Sequence, residues 1–525
     1  MSICTRLTRI NNHDKTKSIN SNFITMLPLL TAQQIRDADA YTIANEPITS
    51  VDLMERAARA FTCCFVKYYP DKKQPIAIYC GTGNNGGDGL AIAQLLHGLD
   101  YKYLSVKIAR FSDKASDDFN VNLKLLKHTG ITITTLKSGE NIIEDSPIVI
   151  DALLGNGLNK PLSGDYQKLV EYLNSRHKTV IAVDVTTGFF TEGEINPDAV
   201  VLKAKLVITF QQPKINFLLP ESAPAMDAFE FVDIGIDKGF VGSLNSPYQL
   251  VEEKDIKQLL KPRHHFSNKG TYGHALIVAG QDKTMGAALL CAAASAYAGA
   301  GLTTACVPES GLTALNSYLP EIMANIRKGN KLPEIEWDQF SAIGIGPGLG
   351  KDKHALDLLK QILTNYHKPI VIDADALNLL ASNKPLWKKI PESSILTPHM
   401  KEFDRLFGEH ANWWQRLQTC IKKAKELKLY IVLKNDYTIT ATPVGKLYFN
   451  PTSNAAMATG GMGDVLTGII TSLLAQKYSS EEACIIGTYI HGKAGDELAL
   501  PGLMNVVLPG KLAAHLPVTM AGLMR

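Results

Sequence analysis

Short apolar strands that end in Gly, Asp, His or Lys recur along this chain, and a helical pattern follows most of them. Residues 75–80 run into GTGNNGGDGLAIAQLL, residues 148–150 end in Asp151, and residues 180–183 end in Asp184. In the second half, residues 275–279 lead into a loop over 280–286, 341–345 into GPGLG, and 369–372 into DADALNLL. Residues 395–396 then lead into TPHMKEF, and 431–433 into LKNDYTIT. Strand, loop and helix in repeated succession predict parallel sheets covered by helices, and such sheets bind ligands at the carboxyl ends of their strands. The expected fold class is therefore α/β. A chain of 525 residues is too long for a single core. The pattern breaks at GFVGSLNSPYQ, a linker-like cluster of Gly, Ser, Asn and Pro. Two domains are expected, 26–240 and 247–525, behind a disordered tail over 1–25.

Composition excludes several function classes. Hydrophobic residues make up 45%, charged residues 20%, and the net charge is +3, so neither a nucleic-acid footprint nor an acidic tail is present. The eight cysteines show no C-x-x-C spacing, which fits reduced cytoplasmic thiols rather than disulfides or zinc. The first 25 residues carry Arg6, Arg9, Lys15 and Lys17 without an apolar stretch, unlike a secretory signal. Met26 directly precedes the first patterned segment and is an alternative start. The longest small-apolar run, 286–302, is rich in Ala and Gly and reads as a buried helix rather than a membrane span.

The stretch NPTSNAAMATGGMGDVL, residues 450–466, is the strongest candidate site. Gly460, Gly461 and Gly463 precede Asp464, and an apolar helical pattern follows. Glycines at the mouth of a helix let the backbone approach a phosphate, and the free N–H groups of the first turn point at it. A carboxylate in that turn can take the proton of an alcohol attacking the phosphate. The plainer reading is a glycine turn with Asp464 as its helix cap. His399 and Lys434, taken singly, read as structural or surface residues. With Asp464 they form an ordered set at successive strand ends.

In the first half, Asn84, Asn85 and Asp88 add side-chain oxygens to the loop after the strand. Such oxygens suit a hard cation, or else an Asx-capped turn. Asp151 and Asp184 end neighbouring strands on the same expected edge.

GNNGGDGL, DALLGNG and DVTTG, with TFQQPK and VDIGI downstream, resemble the NAD(P)H-hydrate epimerase family over residues 27–238. The resemblance implies a Rossmann-like α/β/α domain that interconverts the R and S forms of hydrated NADH or NADPH. By its motifs, Asn84, Asn85, Gly86, Gly87 and Asp88 would hold the substrate. So would Gly155, Asn156, Gly157, Leu158, Asn159, Lys160, Pro161 and Asp184. Asn85, Asp151 and Thr187 would bind potassium (K+), and Asp184 would be the acid–base residue. The family's D-x-P-S-G is here DVTTG. Thr187 keeps the hydroxyl oxygen, whereas Thr186 loses the rigid φ of Pro, so a looser loop is expected.

KGTYGHALIVAG, GPGLG, DADALNLL, TPH, LK-x-x-x-T and ATGGMGDVLTG resemble the ADP- or ATP-dependent NAD(P)H-hydrate dehydratase family, of ribokinase-like fold, over residues 247–513. The resemblance implies that Ala287, Gly348, His399 and Asp464 contact the hydrated nicotinamide nucleotide. Lys434, Asn435, Asp436, Tyr437 and Thr438, with Gly460, Gly461 and Gly463, would contact ADP or ATP, with Mg2+ assisting phosphoryl transfer. Asn435 stands where the family favours Gly, a position Asn can fill at positive φ. Met400 and Lys401 replace Pro and Gly after His399, placing a positive charge near an anionic site. The implied enzyme is a bifunctional repair enzyme, a cytoplasmic homo-oligomer with no nucleic-acid or membrane partner, favouring ADP. The rival readings are a small-alcohol kinase joined to a non-catalytic nucleotide-binding module, and a scaffold.

Overall fold

The computed structural model describes residues 26–140, 143–328, 333–499 and 505–525. The tail expected over 1–25 lies outside the described residues. The chain divides into two compact units between Ser246 and Pro247.

The N-terminal unit contains β1 (Leu27–Pro28), β2 (Ile76–Cys80), β3 (Leu104–Ala109), β4 (Thr132–Leu136), β5 (Ile148–Ala152), β6 (Thr179–Val183), β7 (Leu206–Phe210) and β8 (Phe229–Val232). Seven of them form a sheet in the order β4-β3-β2-β5-β6-β7-β8, with every neighbouring pair parallel. The central strands are apolar on both faces because both faces are covered. Ile76, Ile78 and Cys80 of β2 pack with Phe61, Phe65 and Leu90. Ala77 and Tyr79 of the same strand pack with Leu169 and Leu173 on the other side. This is the three-layer α/β arrangement that continuous apolar strands predict. The order reverses between β2 and β5, so their carboxyl ends frame a crevice.

The expected linker is partly helical. Lys238–Ser243 forms a short helix capped by the Asp237 side chain. Phe240 stacks on Tyr41 at 4.2 Å, and Val241 joins the core of the N-terminal unit. Gly239, Gly242 and Ser243 are exposed, and the stretch GFVGSLNSPYQ holds the division between the two units.

The C-terminal unit contains β9 (Tyr248–Leu250), β10 (His274–Val278), β11 (Leu302–Pro308), β12 (Met323–Arg327), β13 (Ala342–Ile345), β14 (Ile370–Ile372), β15 (Ile395–Leu396), β16 (Tyr430–Leu433), β17 (Ile439–Ala441) and β18 (Leu447–Phe449). Their order is β9-β18-β17-β16-β15-β14-β13-β10-β11-β12. The run from β16 to β12 is parallel throughout, and β17 is antiparallel to both of its neighbours. Here the order reverses between β10 and β13. The Ala-rich helix Met285–Tyr297 covers one face beside Ile277 and Ala305. Lys353–Asn365 packs its apolar stripe on the other face. No helix among the described residues is long and apolar enough to cross a membrane.

Candidate active site

The glycine–aspartate turn opens the helix Met462–Ala475, which starts three residues before the purely apolar pattern. Gly461 caps it with φ at 100°, and a Cβ there would lie 2.8 Å from Leu290 Cδ1, so both backbone and space require glycine. Asp464 is the third helical residue. The helix has no side-chain cap, so the plain capping reading of Asp464 fails. The carboxylate makes no hydrogen bond among the described residues. Burial, reinforced by the nearby charge of Asp373 and opposed by Lys434, pushes its pKa up to about 7.

Asp373, at the end of β14, is the hub of this site and is 1% exposed. Its Oδ1 accepts from Lys434 Nζ at 2.8 Å, and its Oδ2 accepts from Thr467 Oγ1 at 2.7 Å. Lys434 also lies 4.0 Å from Glu402 Oε2, which accepts from the His399 backbone N–H at 2.9 Å. Burial disfavours the Lys434 charge, but Asp373 and Glu402 outweigh it and hold the ammonium above its usual range. A Cβ on Gly463 would sit 3.2 Å from Lys434 Nζ and 3.7 Å from Asp373 Oδ2. The glycine turn therefore passes directly over the ion pair.

Ala287 and Gly348 come together across the β10/β13 reversal. A Cβ on Gly348 would lie 3.0 Å from Ala287 Cβ, and Thr284 Oγ1 donates to Gly348 O at 2.7 Å. One turn beyond Ala287, Leu290 and Cys291 pack against Gly461 and Gly468 of the Asp464 helix. His399 caps the helix Met400–Phe407: its Nδ1 accepts from Lys401 N at 3.1 Å and Glu402 N at 3.4 Å. The ring proton then sits on Nε2, and burial holds the imidazole pKa below its usual value. Lys401 is exposed. Asn435 is absent from the residues at positive φ, so the turn works without the left-handed backbone expected there.

Beside Lys434 lies a pocket of about 220 Å³. Of the residues implied for nucleotide contact, Lys434, Asn435, Thr438 and Gly463 line it, whereas Asp436, Tyr437, Gly460 and Gly461 do not.

The N-terminal unit holds a larger cavity of about 480 Å³ at the β2/β5 crevice. Asn84, Asn85, Asp88, Gly155, Asn156, Gly157, Leu158 and Asp184 line it, as sequence motifs implied. Gly86 and Gly87 do not. A Cβ on Gly86 would meet the Gly81 carbonyl oxygen at 1.9 Å, and one on Gly87 would meet Met54 Sδ at 2.7 Å. Both are glycine for packing. Asn159, Lys160 and Pro161 are exposed and outside the cavity lining, because the chain has already turned toward the helix Gly164–Ser175.

Asp184 takes φ of 62°. Its Oδ1 accepts from Thr209 Oγ1 and Phe210 N, each at 3.0 Å, and from Lys214 Nζ at 2.8 Å. Lys214 is 2% exposed. Asp39 lines the same cavity; burial, then repulsion from Asp184, raises its pKa to about 6, with Lys214 opposing. Burial also raises Asp88 well above the carboxylate range, with help from Asp184 and Asp39. Three carboxylates around one buried ammonium can keep a proton on one oxygen while another accepts one.

Beneath the cavity, Asp151 is 0% exposed and accepts from Thr187 N at 2.8 Å, Thr187 Oγ1 at 2.7 Å and Leu153 N at 3.1 Å. Burial still raises its pKa to about 6. Asn85 packs on Gly155, and its buried Nδ2 has no partner among the described residues. Thr186 is fully buried and donates to Leu202 O. That hydrogen bond pins the loop that the loss of Pro was expected to loosen.

Asp39, Lys214, Asp373, Glu402 and Thr467 were missed as site residues in the sequence. Lys214 lies inside TFQQPK and Asp373 opens DADALNLL, so those motifs carried the signal. Asp39, in the middle of the helix Ala32–Asn45, carried none.

Residues 275–517 match the family described as NAD(P)H-hydrate dehydratase, and residues 50–216 match the family described as YjeF-related protein N-terminus. The chain is 32% identical to a bifunctional NAD(P)H-hydrate repair enzyme of Moorella thermoacetica, over 94% of this chain and 97% of that one. It is also 32% identical to the enzyme of that description from Escherichia coli, over 86% of each chain. Among solved structures, the ADP/ATP-dependent NAD(P)H-hydrate dehydratase of Bacillus subtilis, co-crystallised with ATP and Mg2+, is 32% identical. That likeness covers 52% of this chain and 97% of the other, with a TM-score of 0.47.

Proposed function

The chain belongs to the family of bifunctional NAD(P)H-hydrate repair enzymes, and from that premise we propose how its two sites divide the work. The N-terminal unit epimerises hydrated NADH and NADPH. The C-terminal unit dehydrates the hydrate at the expense of ADP or ATP, with ADP preferred and the S form as its substrate. The observation that carries the reading is Asp464: a hydrogen-bond-free carboxylate with a raised pKa in the first turn of a glycine-capped helix, above the Lys434–Asp373 pair.

Hydroxide is a poor leaving group from C6 of the nicotinamide ring, and phosphate is a good one. Asp464 takes the proton as the C6 hydroxyl oxygen attacks the terminal phosphorus. The bond to the bridging oxygen breaks, releasing ADP from ATP or AMP from ADP. The C6–O bond then breaks as the ring nitrogen lone pair moves in, phosphate departs, and loss of a C5 proton restores NAD(P)H. The N–H groups of the first turn stabilise the transferring phosphoryl.

No cluster of three or more His, Cys, Asp or Glu able to hold a metal occurs among the described residues. Magnesium would enter with the nucleotide phosphates, where it would neutralise developing charge. In the N-terminal unit, Asp151, Thr187 and Asn85 fit potassium. The Thr187 hydroxyl oxygen lies 2.7 Å from the Asp151 carboxylate, and that buried carboxylate, whose pKa burial raises to about 6, gains from a cation. Asp184 moves the proton as oxygen leaves C6 and returns on the opposite face. Cys64, Cys80, Cys291, Cys306, Cys420 and Cys484 are buried thiols outside any disulfide, which supports a reducing compartment such as the cytoplasm.

The test is recovery of reduced-nicotinamide absorbance from a mixed R/S hydrate supplied with ADP or ATP, with potassium and with sodium in its place. Complete recovery is expected only with a nucleotide and potassium. Recovery that stops at the S fraction in both salts would remove the epimerase assignment, and release of a stable phosphorylated product would turn the C-terminal unit into a kinase.

A further inference from the structure

We infer that Asp39 is a second proton-transfer residue of the N-terminal unit, giving a proton to the oxygen that leaves C6 while Asp184 takes one from the oxygen that returns. The inference rests on the epimerase reading of that unit. Asp39 comes from the helix Ala32–Asn45, whose Ile35, Arg36 and Ala38 line the cavity of about 480 Å³ beside it. Asp184 enters the same cavity from the end of β6. Asp39 is half-buried and makes no hydrogen bond or ion pair among the described residues. Asp37, exposed on the same helix, instead accepts from Gln33 Nε2 at 2.8 Å. A carboxylate set in a cavity without a partner is costly unless it keeps a proton or meets a ligand.

Asp184 is built for one half of the task. Its Oδ1 accepts from the Thr209 hydroxyl, the Phe210 N–H and the Lys214 ammonium, and such donors favour the charged form. Asp184 is therefore held ready to take a proton, whereas expelling the C6 oxygen requires one to be given. Lys214 is committed to Asp184 and, at 3.2 Å, to Phe210 O. Asp88 holds its proton too firmly to cycle it, because burial raises it well above the carboxylate range. Asp39 lies between these extremes. Burial, then the charge of Asp184, raises its pKa to about 6, near enough to neutral to give a proton and take it back. The charged groups lining the cavity with it are Asp88, Asp184 and Lys214, with Arg36 on its own helix. On the helices packed against it, Ser50–Tyr68 and Lys238–Ser243, Arg56 pairs with Glu46 and Lys238 with Asp233 at the surface.

The Asp39 proton goes to the C6 hydroxyl oxygen. The C6–O bond breaks with its electron pair on oxygen, and water leaves as the ring nitrogen lone pair forms N=C6. Water then adds to the other face of C6, the N=C6 pair returns to nitrogen, and Asp184 takes the proton of the added water. Lys214 beside Asp184 then favours the return of that proton to Asp39.

The full-length enzyme is given R hydrate with potassium and no nucleotide, so that dehydration is silent, and S hydrate is followed by NMR. Wild-type kcat/KM should fall about tenfold per pH unit above pH about 6, because Asp39 must start protonated. Asp39→Asn should lose about 10²–10⁴-fold in kcat, keep KM within about threefold and lack that pH limb. Asp39→Glu, which restores the carboxyl, should recover at least about tenfold of the loss, and Asp37→Asn should match the wild type. A wild-type profile flat between about pH 6 and 9 overturns the inference whatever the variants do. An Asp39→Asn rate within about threefold of wild type, or a loss confined to KM, overturns it as well and leaves the epimerase reading intact. Failure of the wild type to interconvert R and S overturns both.

Discussion

Asp184 and Asp464 both stand at the carboxyl-end rim of a parallel sheet, yet their surroundings hold them in opposite ways. Asp184 sits in a left-handed backbone with an Oδ1 that accepts from a hydroxyl, a backbone N–H and the buried Lys214 ammonium. Asp464 sits in a regular helical turn, with its nearest cation committed to Asp373 and its pKa raised to about 7. One carboxylate is fixed in direction, which suits a proton passed out and back at a single ring carbon. The other suits the base that we propose for one hydroxyl beside the glycine turn. On the proposed roles, the same edge of the same fold class supports two chemistries, and the two carboxylates differ in their hydrogen-bond donors.

Breaking each side in turn sharpens the contrast. Asp464→Asn should fold normally and lose about 10²–10⁴-fold in dehydration rate, while epimerisation followed by NMR continues. Asp184→Asn should do the converse, slowing epimerisation by about 10²–10³-fold and leaving only the R form unrepaired in the absorbance assay. Lys434→Met leaves the Asp373 carboxylate buried and uncompensated. A loss of about 3–5 kcal/mol in denaturant unfolding is expected, along with impaired dehydration. The mildest change is pH. Dehydration needs ionised Asp464, so kcat/KM measured on S hydrate should be near its plateau above pH 7 and fall about tenfold per unit below it. A profile flat down to pH 5 would mean that Asp464 is not the base.

The fold was legible because many of the buried strands are short apolar runs that end in Gly, Asp, His or Lys. The site was legible only where one motif holds all of its parts. GGMGD places Gly463 and Asp464 in one turn, and local spacing is enough to find them. Asp373, Glu402 and Lys434 meet from three strand ends more than 25 residues apart in sequence, and no local pattern encodes that convergence. Asp39 and Lys214 meet Asp184 in the same fashion. Within the motifs, Gly86 and Gly87 pack against Gly81 and Met54, and Lys160 lies outside the cavity lining.

The central claim is that the hydrate hydroxyl is phosphorylated with Asp464 as base and leaves as phosphate. Hydrate labelled with 18O at the C6 hydroxyl tests this in one measurement, by mass analysis of the inorganic phosphate released by the wild-type enzyme. The account predicts one 18O atom per phosphate formed. Unlabelled phosphate, with the 18O found in water, would contradict it.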